Sequence, residues 1–420
     1  MMSDEVVVNG ADVVLRTTCR VCGAGDLEKI LSLGPSPLAN SFLRTADEFT
    51  DERRYPLDLF YCATCSLLQL LHVVDPDILF RHYLYVTGTS STMAGHNRAY
   101  AKTVVDLLQL QPSDLVAEVA SNDGSLLKCF QPHGVRTIGI EPAQNLAAAA
   151  TNDGVETINE FFTLAAARAI REQHGAARAI AANNVLAHVD DPVDFLAGCR
   201  ELLAEDGLVT IEVPYVGTLL ERLEYDTVYH EHLSYFSVRS LLHLSQRVGL
   251  SAVRIDHMNV HGGSLRLYLS RSAAGHSPEV RALEAEERNA GVTDVARYRQ
   301  FARDVESGRA ELVALLEDLA ADGKRVAGYG APAKGNTLLN YCGVDTRLLP
   351  YTVDKNPLKV GLYTPGTHIP VRDVAALSEE RPDYVLILAW NLADEIMDQQ
   401  RAHREHGGRF ILPVPRPQVV

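Results

Sequence analysis

The chain has no run of basic residues: 39 Lys and Arg stand against 54 Asp and Glu, for a formal charge of −15 over 420 residues. A surface of that sign repels phosphate backbones and anionic lipid, so neither nucleic acid nor a membrane surface is expected as a partner. No stretch is long and uncharged enough to span a bilayer. The opening "MMSDEVVVNG" lacks the positive start and long apolar run of a secretory signal, which leaves the cytoplasm as the expected address. There is no low-complexity tract and no short repeat. With 46% hydrophobic and 22% charged residues the composition excludes disorder and fibrous folds. A soluble protein of two or three domains is expected from this length.

Cysteine is present but sparse: seven residues, of which four form the pairs Cys19/Cys22 and Cys62/Cys65. A reducing compartment disfavours disulfides, whereas thiolate pairs suit a soft metal. Two C-x2-C pairs separated by 39 residues supply the closed tetrahedral shell of a structural zinc. The intervening Gly- and Pro-punctuated text would struggle to bury a core unaided, so residues 1–80 read as a zinc-held module.

Strand-like and helix-like runs alternate from about Gln111 to Leu269: "DLVAEVAS", "VRTIGIEP", "ARAIAANNVLA", "DPVDFLAGCRELLAEDG" and "LVTIEVP". Such alternation predicts βαβ units, a parallel sheet covered by helices, and ligands at the carboxyl ends of its strands. The first strand runs into Glu118 and the turn Ser121, Asn122, Asp123 and Gly124, and the second ends in Glu141 and Pro142. A turn offering backbone N–H groups, followed by an acid placed to accept ribose hydroxyls, has the layout of an S-adenosylmethionine (SAM) site; a bland βα turn would read similarly. Asn183 and Asn184 close the next strand, with His188 just beyond. Residues 81–272 are assigned to this domain.

Residues 273–420 begin with two helices between Ser277 and Lys324 and continue as a second Rossmann-like α/β unit. Its "VAGYGAPAKGN" is no P-loop, because Lys334 precedes Gly335. Gly328 and Gly330 with Asp354 allow a dinucleotide, while Lys334, Asn336 and the helix start would suit a phosphate or pyrophosphate. Both remain open at this point, as does a plain tight turn.

The densest chemistry is "YDTVYHEHLSYFS", with Tyr229, His230, Glu231 and His232 side by side. It is not the zinc-protease H-E-x-x-H, since position 234 is Ser. Glu231 and His232 can instead form a carboxylate-supported imidazole, whose ordinary pKa of roughly 6.5 suits a general base near neutrality. "YLYVTGTSSTM", from Tyr83 to Met93, fits a binding loop, and "HGGSLRLYLS" places His261 and Arg266 toward a ligand or toward water.

Taken together and in order, the cysteine set, "YLYVTGTSS", "EVASNDGSLL", "GIEPA", "YHEHLSYFS", "HGGSLR" and "YGAPAKGNTLLNYCG" resemble the sugar C-methyltransferases acting on nucleotide-linked keto-sugars in antibiotic pathways. The likeness is strongest to the C-3'-methyltransferases of dTDP-3-amino-4-keto-2,3,6-trideoxyglucose. It implies a zinc module, a SAM-binding middle domain and a C-terminal domain that binds the dTDP-sugar without NAD. It also implies that His232 is a base forming an enolate beside the 4-ketone, with Tyr83 and Glu231 in support. Tyr85, Met93, Asn97, His188, Tyr229, His261, Arg266, Tyr329, Lys334 and Asn336 then become candidate substrate contacts. Two rivals are an NAD-dependent oxidoreductase and a non-catalytic zinc-containing binding protein.

Overall fold

The computed structural model describes residues 12–80, 91–258 and 262–420. Tyr83, Tyr85 and His261 lie outside them. Among the described residues no helix is long and apolar enough to cross a membrane.

The central sheet has seven strands in the order Ser251–Met258, Ser264–Ser270, Leu203–Pro214, Ala177–Asn183, Leu115–Val119, Arg136–Ile140 and Thr157–Ile158. The five from Leu203–Pro214 to Thr157–Ile158 are parallel, and Ser264–Ser270 is antiparallel to both its neighbours. Every residue of "LVAEV" is buried, the pattern of a strand covered on both faces. Chain order reverses between Leu115–Val119 and Ala177–Asn183, which opens a crevice beyond their carboxyl ends. The helix after the crevice starts cleanly because Asp191 accepts from the N–H groups of Val193 and Asp194, with Pro192 at its first position.

The C-terminal sheet repeats this logic with six strands ordered Val371–Arg372, Thr352–Val353, Val326–Tyr329, Tyr384–Ile387, Arg409–Leu412 and Gln418–Val419, the last antiparallel. Two helices precede it, Pro278–Asn289 and Val295–Ala321. The longer one buries Tyr298, Phe301, Val305, Leu312, Leu316 and Leu319 at helical spacing. That stripe joins one core with Leu31, Leu57 and Leu59 of the N-terminal sheet and with Leu338 and Leu386 of the C-terminal unit. The helical connector is therefore a shared pillar.

The N-terminal sheet has four strands, and the fourth comes from far along the chain. Leu27–Ser36, Tyr55–Cys62 and Leu68–Leu70 are completed by Ser234–Tyr235, which pairs antiparallel with Leu68–Leu70. The segment carrying Tyr229 to His232 thus enters directly into the cysteine-bearing module.

Leu316 is fully buried where the pillar crosses this shared core. Leu316→Ala is expected to cost about 2–5 kcal/mol, read as a lower midpoint in urea denaturation.

Candidate active site

The four cysteines converge. Their sulfurs all lie within 4.8 Å of one another, with Cys19 Sγ and Cys65 Sγ 3.5 Å apart and Cys22 Sγ and Cys62 Sγ also 3.5 Å apart. Four sulfurs about 2.3 Å from one tetrahedral ion would be separated by about 3.8 Å. The set fits zinc and leaves no open coordination position.

At the crevice the strand Leu115–Val119 runs into a turn where Ala120, Asn122 and Gly124 have φ of 56°, 52° and 72°. The backbone N–H of Asn122 donates to Glu141 Oε2 and that of Ala143 to Oε1, each at 2.8 Å, so one carboxylate ties the two turns together. Burial raises the Glu141 pKa while those bonds oppose the rise. Asn159 Nδ2 holds the carbonyls of Glu141 and Pro142 at 2.8 and 3.0 Å. Gly124 has a packing reason as well: a Cβ there would lie 2.8 Å from Val155 Cγ2.

Glu118 is buried, and burial followed by the charges of Asp123 and Glu141 holds its carboxyl well above the usual range. Among the described residues Glu118 Oε2, Ser121 Oγ and Asn183 Oδ1 are buried without hydrogen-bond partners. Unpaired buried polar atoms beside three carboxyl groups call for a polar ligand carrying positive charge. SAM, with its sulfonium, ammonium and ribose hydroxyls, fits that demand. Asn184 (φ 54°) donates its N–H to the Glu212 carbonyl at 2.8 Å and opens the loop that carries His188.

That loop meets the Tyr229–His232 segment. The rings of His188 and His232 are 4.8 Å apart at 76°, and Leu233 N–H donates to the Ala187 carbonyl at 2.7 Å. Burial lowers the His188 imidazole to about 4, so it is neutral at ordinary pH, and its Nδ1 has no partner. His232 Nδ1 is 3.0 Å from the Thr227 carbonyl and Nε2 is 2.9 Å from the Tyr229 hydroxyl. A carbonyl only accepts, so Nδ1 carries the proton and Nε2 is the basic nitrogen. The sequence reading expected Glu231 to orient this imidazole, yet Thr227 supplies the acceptor at Nδ1. Glu231 Oε1 accepts instead from Asn40 Nδ2 of the zinc module at 2.6 Å. His230 turns away, 1% exposed, with Nε2 3.2 Å from the Tyr55 carbonyl. No signal in the sequence singled out Thr227 or Asn40.

Several expected substrate contacts are engaged elsewhere. Arg266 was expected to face ligand or water but is buried in an ion pair with Glu212, its guanidinium 4.2 Å from the Tyr100 ring and 3.3 Å from His96 Nε2. His96 Nε2 reaches Glu212 Oε2 at 3.0 Å. Asn336, wholly buried, donates through Nδ2 to the Ala39 carbonyl at 2.7 Å and so docks the zinc module on the C-terminal unit. Tyr329 ends its strand within the C-terminal core. Met93 is half-buried and Asn97 buried on the helix Ser91–Leu108, the element that also carries His96. Asp354 accepts from the N–H groups of Ala331 and Asn356 at 2.7 and 2.8 Å, which commits the acid that a dinucleotide ribose would need.

Lys334 is also not the simple phosphate cation expected. Its Nζ sits 4.7 Å from the Trp390 ring, without a hydrogen-bond partner, in the field of Glu224 and Asp226. Trp390 Nε1 donates to Asp226 Oδ2 at 2.5 Å, while Asp226 Oδ1 and Glu224 Oε1 are buried and unpartnered. Two carboxyl groups against one lysine disfavour a further anion there. The acids stand in "EYDT", immediately before the histidine segment, where a sequence scan for protic groups overlooked them.

A doubly wound methyltransferase sheet, a crevice fitted to SAM and a tautomer-fixed histidine beside it define a methyl-transferring enzyme, and the comparisons agree. The family described as "C-methyltransferase C-terminal domain" matches residues 259–415, "Methyltransferase domain" 93–255 and "Putative zinc binding domain" 19–80. C-methyltransferase NovU of Streptomyces niveus is 41% identical over 404 residues, covering 96% of each chain. The chain belongs to the SAM-dependent C-methyltransferases, and the oxidoreductase and binding-protein readings give way to this one. Among solved structures, magnesium protoporphyrin IX methyltransferase from Synechocystis PCC 6803 with bound SAM is 14% identical, covering 43% of this chain and 82% of its own, with a TM-score of 0.33. Mitomycin 7-O-methyltransferase is 15% identical, covering 44% and 59%, with a TM-score of 0.31.

Cys62→Ser is expected to lose the bound zinc, counted by atomic absorption, and with it the far-ultraviolet strand signal of the N-terminal sheet. A second test concerns Glu224, which burial pushes up to about 7 from 4.5. Its proton is bound more tightly in the folded state, so its stabilisation is full below pH 4.5 and lost as pH rises to about 7. Glu224→Gln should therefore flatten the fall of melting temperature between those pH values, the difference at pH 8 being on the order of 2–3 kcal/mol.

Proposed function

We propose that the protein transfers a methyl group from SAM to a carbon beside the 4-ketone, C-3', of a dTDP-linked deoxy-keto-sugar, in antibiotic deoxysugar biosynthesis. The observation that carries the mechanism is the fixed tautomer of His232 beside a neutral His188. A ketone acidifies the neighbouring C–H, and His232 Nε2 takes that proton as the Tyr229 hydroxyl gives up the Nε2 lone pair to it. The electron pair enters the new C=C bond and negative charge develops on the ketone oxygen. Thr227 holds the imidazolium through Nδ1, while the Tyr229 hydroxyl, beside Nε2, orients the ring.

His188, uncharged beside His232, adds no like charge to repel the forming imidazolium. Glu231 adds negative charge next to His232 in sequence, with Tyr83 as the further supporting residue. Bound SAM supplies an electrophilic methyl on a sulfonium, which accepts the enolate pair as the C–S bond breaks. Glu118, Ser121, Asn183 and Glu141 would hold it, and the closed crevice aligns carbon, methyl and sulfur. The proton on His232 then returns to solvent. We assign the keto-sugar to the neighbourhood of this segment, where the carboxyl oxygens of Glu224 and Asp226, unpartnered among the described residues, suit hydroxyl donors of a sugar.

The test is mass spectrometry of dTDP-4-keto-6-deoxysugars incubated with the enzyme in deuterated water, with and without SAM. With SAM the product gains one methyl; without SAM, solvent deuterium enters the carbon beside the ketone. His232→Asn should lower both rates by about 10²–10⁴-fold while SAM affinity stays within error. Unchanged turnover would remove His232 from the mechanism.

A further inference from the structure

Arg20 lies inside the first C-x2-C turn, between Cys19 and Cys22, and its side chain is wholly buried. Its backbone N–H donates to Gln69 Oε1 at 3.2 Å, and Gln69 pairs with Ser234 in the strand that follows the catalytic segment. The guanidinium Nη1 donates to the Leu233 carbonyl, the residue next to His232. Its Nη2 is 3.5 Å from Asp190 Oδ1, two residues beyond His188, and Arg16 Nη1 reaches the same oxygen at 2.9 Å. Leu233 closes the link, for its N–H donates to Ala187 and its carbonyl accepts also from Leu70 N–H at 3.0 Å. One buried cation thus touches both backbone segments that present the facing imidazoles.

Stability alone gives no reason for this choice. A buried guanidinium loses its hydration, and among the described residues neither Nε nor Nη2 has a hydrogen-bond partner to offset the loss. Its neighbour Val21 is fully buried, so an apolar side chain is tolerated at this turn. A guanidinium reaches two chain segments at once, through the hydrogen bond of Nη1 to the Leu233 carbonyl and the ion pair of Nη2 with Asp190.

We propose that Arg20 is a positioning residue that sets the spacing of His188 and His232, and that the metal-held turn thereby governs the step in which the C–H bond breaks. The proposal rests on the reading of His232 as the base. Zinc fixes the Cys19–Cys22 turn, the turn aims Arg20, and Arg20 holds the Leu233 carbonyl and Asp190. The zinc module so acts on the chemistry without contributing a group to the substrate.

The decisive experiment measures deuterium wash-in to a dTDP-4-keto-6-deoxysugar without SAM, as a function of sugar concentration, for full-length Arg20→Met, Arg20→Lys, Asp190→Asn and His232→Asn. Zinc per chain and SAM dissociation constants are measured on the same preparations. Displacing a reacting group by about 1 Å costs about 100-fold in rate, so Arg20→Met with full zinc and unchanged SAM affinity should lose about that factor at saturating sugar, with KM little moved. Arg20→Lys, keeping one donor toward Leu233, should recover part of the rate. Wild-type wash-in by zinc-loaded Arg20→Met would overturn the proposal. Should that variant lose zinc or SAM binding, Asp190→Asn decides, since Asp190 is 44% exposed and its change spares the core. A several-fold drop in its saturated rate upholds the link to Asp190, and a wild-type rate overturns it. Full wash-in by His232→Asn would instead count against the base assignment, independently of the Arg20 result.

Discussion

The pairing of Ser234–Tyr235 with Leu68–Leu70 is the contact on which the site depends. It draws a segment of the central domain out of its own sheet and makes it the edge of the N-terminal one. Once it is there, His230 meets the Tyr55 carbonyl, Glu231 meets Asn40, and Leu233 meets both Ala187 and Leu70. Each bond satisfies a polar group that burial would otherwise leave costly, so the segment has little freedom to move. His232 inherits that rigidity, with both ring nitrogens committed to near neighbours. A short antiparallel pair is weak alone. It persists because the zinc thiolates and the apolar core under the sheet hold its partner strand.

The same core runs beneath all three parts of the chain. Leu57 and Leu59 from the N-terminal sheet, Val228 and Tyr235 from the histidine segment, Leu316 from the long helix and Leu386 from the last sheet belong to one buried cluster. Burial of this kind is non-directional and sets the parts together, while orientation comes from the few polar bonds across it, such as Asn336 to Ala39. The site is consequently lined by preset groups. Its charge is uneven: three carboxyl groups gather at the turn after Leu115–Val119, and Glu224 and Asp226 outnumber Lys334 near Trp390. Such a surface favours cationic and hydroxyl-rich groups.

Much of this architecture was legible in local patterns along the chain. Alternating buried runs separated by turn residues specified two doubly wound sheets, because a strand covered on both faces must be apolar throughout. The paired C-x2-C spacing specified the metal site, since two thiolates on one short turn reach a common ion, and the distant pair supplies the rest. Local spacing also placed Glu118 and Glu141 at successive strand ends, and the histidine segment announced itself by composition. The partner of each polar group, by contrast, was chosen by packing. Arg266 pairs with Glu212, Asn336 serves the zinc module, Gly124 makes room for Val155, and Thr227 takes the place expected of Glu231 at the imidazole. Arg20 meets Leu233 across 213 positions of chain. Periodicity and spacing are properties of neighbours along the backbone, whereas a buried donor finds its acceptor among residues that packing, and nothing in the local sequence, brings within reach.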